Sequence, residues 1–360
     1  MTGCLCGYRR PVGLKVDIKP EPRATRRPVG SLQEPVPAPG LPATFPRYLK
    51  PIPLTSGRDA KVVLEKVLAA ERPQVMRWLY SSVSAAAEPL KFQEIRNSLF
   101  RGEVSQQWVD TWRQEYSAYV TDRLAPAMRI AADTGADIVF DGLASARIGE
   151  GFAREPIGKA IAGWIDARGA DLAVSLSDGQ HKAVQTLLKF YTVDRPVGAA
   201  DIARAIRPVV GLTPAQSGAV QNYSAQLYKL VDAGELSQAK LFTQVQNYGD
   251  RLLRLRAERI ANTELSFAFN KGQHTVNEEA RAAGIYGDNV EIYEWMTAED
   301  ERVCVLCAPL DGVRVVAGEN FPGGAEVTPP RHPWCRCTYG SYLLTPEEFA
   351  QYQQSGQVPD

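Results

Sequence analysis

The residues with the clearest capacity for chemistry are five potential metal ligands in two short clusters. The first cluster is Cys304-Val-Leu-Cys307 and the second is His332-Pro-Trp-Cys335-Arg-Cys337. Two closely spaced cysteines can bind one ion, and a second group returned by a hairpin completes the tetrahedral coordination that zinc prefers. Turn-forming sequences at 311–312 and 328–330 favour that return. The pattern therefore predicts a zinc site.

Four of the five candidates would fill this site, and we favour the four cysteines, Cys304, Cys307, Cys335 and Cys337. His332 would then lie beside the ion or replace Cys337, because Cys335 and Cys337 are closer in sequence than a usual C-x-x-C pair. A disulfide and buried thiols that pack as small apolar groups are the alternatives. We expect a structural ion, since catalytic zinc sites use histidine prominently and keep an open position. The chain has three histidines and no H-E-x-x-H sequence.

Around these clusters, the order and spacing of several sequence pieces resemble the phage Mu F-like head-morphogenesis family. The pieces are Glu294-Trp-Met-Thr297, Asp300-Glu-Arg-Val-Cys304, Leu310-Asp-Gly312 and Pro329-Pro-Arg-His-Pro-Trp-Cys-Arg-Cys337. Upstream, residues 256–264 and 270–272 are similar to the helix that precedes this signature, although Asn262 stands where many relatives have arginine. The resemblance implies a minor capsid protein of a tailed bacteriophage or prophage, incorporated near the portal vertex, without established catalytic activity.

The upstream segment also carries a polar group that we expect to form a structural network, namely Arg259, Thr263 and Glu264. Apolar residues flank Glu264 at helical spacing, so its carboxylate should point towards the core. A buried carboxylate needs a partner, and we expect Arg336 or backbone amides of the cysteine-containing turn. A general-base role is disfavoured because no nucleophile or second acid stands at a defined spacing.

Hydrophobic periodicity predicts a mainly α fold, with a helical body followed by a small α+β domain. The expected divisions are a basic tail at 1–58, the helical body at 59–245, the Mu F-like domain with the cysteine cluster at 246–345 and a C-terminal tail at 346–360. In the body, Pro73 should interrupt the first helix, and Ser177 should cap a new one. A long helix is expected at about 249–283. Alternating residues predict a strand at 290–297 that pairs with strands at 312–316 and 337–344.

The N-terminal tail is rich in proline and has ten Arg and Lys residues against three Asp and Glu, a net charge of 10 − 3 = +7. Such an arm could contact packaged DNA, the portal or scaffold protein, and the alternative is a solvated linker without lasting contacts. Arg251, Arg254 and Arg256 are expected on the exposed side of the long helix, where phosphate or another subunit could meet them. The whole chain balances 41 basic against 41 acidic residues, which argues against a surface dedicated entirely to nucleic acid.

The family resemblance implies a head-assembly protein, and we expect its partners to be the portal protein, the major capsid protein or the scaffold. No apolar stretch approaches the roughly 20 residues that span a bilayer, so no membrane role is expected. We expect the protein in the virion and, during assembly, in the reducing bacterial cytoplasm, where clustered cysteines favour metal binding over disulfides. The alternatives are a DNA-binding virion protein without sequence specificity and, less favoured, a zinc hydrolase.

Overall fold

The computed structural model describes residues 52–87, 97–98, 101, 104–189 and 206–355. Within these residues the fold is mainly helical with one small antiparallel sheet, which confirms the predicted fold class. The predicted tail lies outside the described residues up to position 51, as does the C-terminal end from 356 onwards.

Among the described residues, most of the chain lies in long helices. A π-helical turn, Val120–Leu124, links the second and third of them. The helices are α1 Gly57–Ala87, α2 Gln106–Tyr119, α3 Ala125–Ser145, α4 Glu155–Lys189, α5 Pro214–Asp232, α6 Gln238–Ala282 and α7 Pro346–Ser355. Short 3-10 helices lie at Arg207–Val209, Ala308–Leu310 and Pro322–Gly324.

The sheet has the strand order β1-β4-β2-β3, and all its pairs are antiparallel. Its strands are β1 Ile52–Thr55, β2 Val290–Met296, β3 Arg314–Val316 and β4 Thr338–Leu344. Strands β2, β3 and β4 are the three that the sequence predicted. β1 comes from a segment that was assigned to the tail, and it pairs with β4 through Ile52 and Leu343.

Strand β1 is fixed to the helices by a close backbone approach. Leu54 is buried, and its carbonyl oxygen lies so near Gly142 of α3 that a Cβ there would stand 1.5 Å from it. Glycine is therefore needed at this contact. The packed fold thus begins before the predicted boundary at residue 58.

Two predicted helix breaks are absent. Helix α1 continues through Pro73, and buried residues such as Leu68 and Val75 lie on both sides of it. Helix α4 continues through Ser177, which is fully buried and followed by the buried Gln180. At both places the apolar contacts of the helix outweigh the local stop signal.

Two other features follow from residues that are close in sequence. Thr213 caps α5 in a capping box with Gln216, since the Gln216 N–H donates to Thr213 Oγ1 at 3.2 Å and the Thr213 N–H donates to Gln216 Oε1 at 3.1 Å. The aromatic face of α2 is core, with Trp108 and Trp112 completely buried. Trp112 Nε1 also donates to Ala86 O at 3.0 Å.

Helix α6 is the central element, and it is longer than predicted at 45 residues. It crosses α3 at two glycines: a Cβ at Gly135 would lie 2.0 Å from Phe269 O, and one at Gly272 would lie 1.9 Å from Ala132 O. Helix α6 also runs across the predicted division at 245. It therefore joins the helical body directly to the sheet.

Candidate metal centre

The two ligand clusters lie at the same end of the sheet because β2 and β4 are antiparallel neighbours. The first cluster follows the end of β2, and the second leads directly into β4. Trp295 pairs with Tyr339 in this ladder. In the first cluster, the N–H groups of Cys307 and Ala308 donate to Cys304 O at 3.0 and 2.9 Å, which closes a tight turn.

The structure brings all five candidate ligands together. His332 Nε2 lies 3.1 Å from both Cys304 Sγ and Cys307 Sγ, and Cys307 Sγ lies 3.9 Å from Cys335 Sγ. The ligand atoms form two groups of three that share Cys307, and within each group they lie within 4.8 Å of one another. Two thiolates bound to one tetrahedral ion at about 2.3 Å stand about 3.8 Å apart. The spacing therefore suits one metal ion.

The four cysteines of the clusters are free thiols. The Cys307–Cys335 separation of 3.9 Å is far longer than the roughly 2.05 Å of a disulfide bond. The disulfide alternative therefore has no support in the structure. Three of the four thiols are buried, those of Cys307, Cys335 and Cys337, while Cys304 is partly exposed.

The ring of His332 is oriented as a ligand. Its Nδ1 lies 2.8 Å from the carbonyl oxygen of Pro333, which can only accept, so Nδ1 carries the proton. The lone pair of Nε2 then points to the two sulfurs. Metal-bound histidines usually have this arrangement, in which a hydrogen bond to the other ring nitrogen fixes the tautomer. His332 is thus placed as a ligand candidate and not only as a neighbour of the site.

The buried thiols influence one another's protonation. Hydrogen bonding with Cys335 and Cys337, together with burial, raises the pKa of Cys307. Hydrogen bonds from Cys307 and Cys337 lower the pKa of Cys335, whose thiolate they stabilise. A metal needs the thiolate form of each ligand, so its binding would release protons from this cluster.

Asp300 joins the two clusters electrostatically. Arg336 Nη2 donates to its carboxylate oxygens at 2.7 and 2.8 Å, and the Arg302 N–H donates at 3.0 Å. The hydrogen bond from Arg336 is the main reason why the pKa of Asp300 is lowered to about 2. Arg336 stands between two cysteines of the second cluster, so this ion pair positions both clusters.

The predicted partner of Glu264 was wrong. Glu264 is buried as expected, but its carboxylate pairs with Arg168 of α4, with Nε–Oε2 at 2.6 Å and Nη2–Oε1 at 3.1 Å. Arg336 is instead engaged by Asp300. Arg168 lies 96 positions away in sequence, and nothing local indicates the pairing.

Thr263, which precedes Glu264, contacts a backbone amide of the cysteine-containing turn. The N–H of Trp334 donates to Thr263 Oγ1 at 3.1 Å, and Trp334 has a positive φ of 71°. The third residue of the predicted network, Arg259, is exposed one turn earlier on α6. Next to Thr263, Asn262 Oδ1 accepts from Arg72 Nη1 of α1 at 3.4 Å.

The expectation for the arginines of the long helix was partly wrong. Arg254 is exposed and Arg251 is half-buried, but Arg256 is buried. Its Nη1 donates to the backbone carbonyl of Gly211.

Sequence reasoning missed a polar stripe that docks α6 against β4. Asn270 Nδ2 donates to Cys337 O at 3.2 Å, Gln273 Nε2 donates to Thr338 Oγ1 at 3.0 Å, and all three residues of the stripe, including Asn277, are fully buried. Their spacing of three and four residues was the available signal, because it places them on one helix face. The stripe holds the second ligand cluster against the helix.

A second missed group lies on β2. Glu291 is buried, accepts from Arg281 Nη2 at 2.7 Å and from Ser341 Oγ at 2.9 Å, and burial raises its pKa. Nearby, His274 Nδ1 lies 3.4 Å from the Tyr293 hydroxyl, and burial lowers the pKa of His274 to about 4. In the sequence, a carboxylate on the same strand face as two aromatic residues was the only hint.

Comparison with known proteins gave one match. Residues 198–340 match the model of a family described as Phage Mu protein F like protein, which confirms the resemblance seen in the sequence. The matched segment contains α5, α6 and both ligand clusters. Searches of curated proteins and of solved structures gave no match. Among the described residues, no helix is both long enough and apolar enough to cross a membrane.

Proposed function

Because residues 198–340 match the model of the Phage Mu protein F-like family, we propose that the protein is a minor head protein of a bacteriophage or prophage. The family match carries this proposal. We place its role in head morphogenesis at the portal vertex, with the portal, the major capsid protein or the scaffold as partner. The proposed mechanism is binding, without a catalytic step.

We further propose that the cysteine cluster holds a structural zinc ion. Cys304, Cys307 and Cys335 would supply three ligands, and His332 or Cys337 the fourth. Thiolate and imidazole donors in tetrahedral sets favour zinc over the hard cations that prefer oxygen. The ion would fix the 297–337 segment between β2 and β4, which we name the metal segment.

The metal segment offers a surface for an assembly partner. Val305, between the two cysteines of the first cluster, is 83% exposed, and Leu306 next to it is 40% exposed. Large apolar side chains exposed side by side are common at protein contacts. A metal segment held by a bound ion would present these two side chains in a fixed geometry, which lowers the entropy cost of binding.

Complementation of a deletion in the parent phage or prophage tests the proposal. Heads would be purified after induction, counted by electron microscopy and searched for this protein by mass spectrometry. Restoration of normal heads is expected with the native chain and with Cys6→Ser, the matched control outside the clusters, and not with Cys307→Ser. Normal heads in the deletion strain, without this protein in native particles, would refute the proposal.

A further inference from the structure

A cleft of about 500 Å³ lies between α4, α5 and α6, outside the metal cluster. Its walls are mainly apolar and include Leu172, Leu176, Leu252 and Ile260, and Trp334 of the metal segment closes one side. This volume lies in the range of about 300–1,000 Å³ typical of small-ligand sites. The cleft is therefore large enough for a ligand of several apolar groups.

Arg256 brings a positive charge to this apolar cleft. Its side chain lines the cleft while being only 8% exposed. Burial lowers the pKa of Arg256, but guanidinium groups keep their charge in proteins. A buried charge is normally matched by an opposite one. Among the described residues, however, no carboxylate forms an ion pair with Arg256.

The hydrogen bonds of Arg256 leave most of its donors available. Nη1 donates to Gly211 O, whereas a guanidinium has five N–H groups. Gly211 is fixed on its other side, because its N–H donates to Gln180 Oε1 at 2.9 Å. Its φ of +81° requires glycine, as does the side chain of Val83, which would lie 2.6 Å from a Cβ at this position. One side of the guanidinium is thus anchored to the backbone, and the rest can meet a ligand.

The first turn of α5 adds a second favourable field. Thr213, Ala215 and Gln216 line the cleft at the start of this 19-residue helix. The N-terminal end of a helix carries a partial positive charge that favours anions. Arg259 also lines the cleft. The arginine charge and the N-terminal end of α5 therefore both favour a negatively charged ligand.

We infer that this cleft binds a carboxylate carried on an apolar group. The carboxylate would pair with Arg256 near the start of α5, and the apolar part would pack against the leucine walls. Such a group can come from a small amphipathic acid or from an acidic residue within an apolar segment of another protein. The site is distinct from the metal cluster, and the inference does not depend on the proposed head function.

Calorimetric titration of the full chain with matched probes tests the charge requirement. N-acetyl-leucine should bind in about the millimolar range or tighter, as expected for a ligand of about a dozen non-hydrogen atoms. N-acetyl-leucinamide, which lacks the charge, should bind at least about 10-fold more weakly. Equal binding of acid and amide, or binding of neither, would overturn the inference.

Variants locate the binding to the cleft. Arg256→Gln should weaken binding of the acid at least about 10-fold and leave binding of the amide unchanged. Arg254→Gln, at an exposed arginine two positions earlier, should change neither affinity. Since Arg256→Gln could impair folding, Ala215→Phe provides an independent variant that fills the cleft from an exposed position. Unchanged acid binding in Ala215→Phe would place the site elsewhere and refute the inference.

A peptide pair separates the two sources of the carboxylate. Acetyl-Leu-Glu-Leu-amide and its glutamine analogue differ only in the side-chain charge. Tighter binding of the glutamate peptide than of N-acetyl-leucine supports a protein segment as ligand. Binding of N-acetyl-leucine alone supports a small acid. Both results keep the carboxylate site, and equal binding of the glutamate and glutamine peptides together with equal binding of acid and amide would contradict it.

Discussion

The helical body and the metal segment are stabilised in different ways. The core of the body consists of aliphatic and aromatic side chains from α1 to α6. In the smaller cluster that includes the metal segment, three of ten core residues are cysteines, namely Cys307, Cys335 and Cys337. Strand β3 has only three residues. The difference shows that one chain can stabilise one region by burying a large apolar surface and another region by a few specific contacts.

Two of the contacts between the two regions are polar and directional. Thr263 and Asn270 of α6 bond to the backbone at Trp334 and Cys337. Each such bond contributes only about 1 kcal/mol net, but together they set the position of the second ligand cluster. The metal segment therefore depends on the body for its orientation, and the proposed ion would hold its internal structure.

The largest expected effect is the loss of the proposed zinc. Structural zinc contributes roughly 10 kcal/mol or more of apparent binding free energy in small zinc-dependent folds. Cys307→Ser should therefore release the metal and expose the amides of the metal segment to hydrogen exchange, while α3 and α6 stay protected.

X-ray absorption and metal analysis on protein purified without added metal, combined with hydrogen exchange, measure this prediction. Cys6→Ser should retain one ion per chain. Equal metal content in the native chain and Cys307→Ser, or equal protection of the metal segment in both, would contradict the proposed structural zinc site. An open coordination position with a bound water would instead favour the hydrolase alternative.

The next largest effect concerns the body. Gly272→Val places side-chain atoms where a Cβ already stands 1.9 Å from Ala132 O, so α3 and α6 must separate. We expect a loss of more than about 3 kcal/mol in the free energy of unfolding, measured by urea titration. The control is Gly218→Val on α5, where a Cβ meets nothing within 4 Å. Similar midpoints for both variants would contradict the close packing of α3 on α6.

A smaller effect is expected at the buried ion pair. Glu264→Gln leaves Arg168 without its carboxylate, and the side chain of Arg168 is 33% exposed, so solvent compensates in part. We expect the free energy of unfolding, measured by urea titration, to fall by about 2 kcal/mol. Glu258→Gln, at a half-exposed glutamate on the same helix whose pair with Arg72 is 3.8 Å long, should cost less than about 0.5 kcal/mol.

The smallest effect depends on pH and on His274. Burial lowers its pKa to about 4, against 6.5 for the ordinary side chain, although Glu278 acts in the opposite direction. Below pH 6.5 the unfolded chain therefore takes up a proton that the folded chain does not, and stability falls as the pH drops towards 4. Between pH 7 and 5 the loss from this group should be about 1–2 kcal/mol.

The variant His274→Gln should flatten this part of the stability profile, as followed by urea unfolding at several pH values. His181→Gln on α4 is the matched control and should keep the native slope. An unchanged slope in His274→Gln would show that other groups cause the acid sensitivity.

Much of the fold was readable from the sequence because periodicity and turn residues act locally. The strands at β2 to β4, the cap at Thr213 and the two ligand clusters all follow from neighbouring residues. What the sequence did not show depends on distant contacts. Ser177 has the residues of a cap but lies in a helix interior, and β1 depends on pairing with β4 and on packing against α3.

At the candidate metal site, too, local features could be predicted from the sequence and distant contacts could not. Residue type and spacing identified all five ligand candidates, whereas the order of preference between His332 and the cysteines depends on geometry. The hydrogen bond from Nδ1 of His332 to Pro333 could not be foreseen from composition. Likewise, the partner of Glu264 lies on another helix, and the buried Arg256 had been assigned to the exposed side.

Helix α6 acts as a spacer of fixed length. A continuous helix of 45 residues is about 68 Å long, and it cannot stretch or shorten without breaking its backbone hydrogen bonds. Molecules that attach near Gln238 and near Ala282 are therefore kept a set distance apart. In a particle built from repeated subunits, such a rigid helix would make the position of a partner at one end determine the position of a partner at the other end.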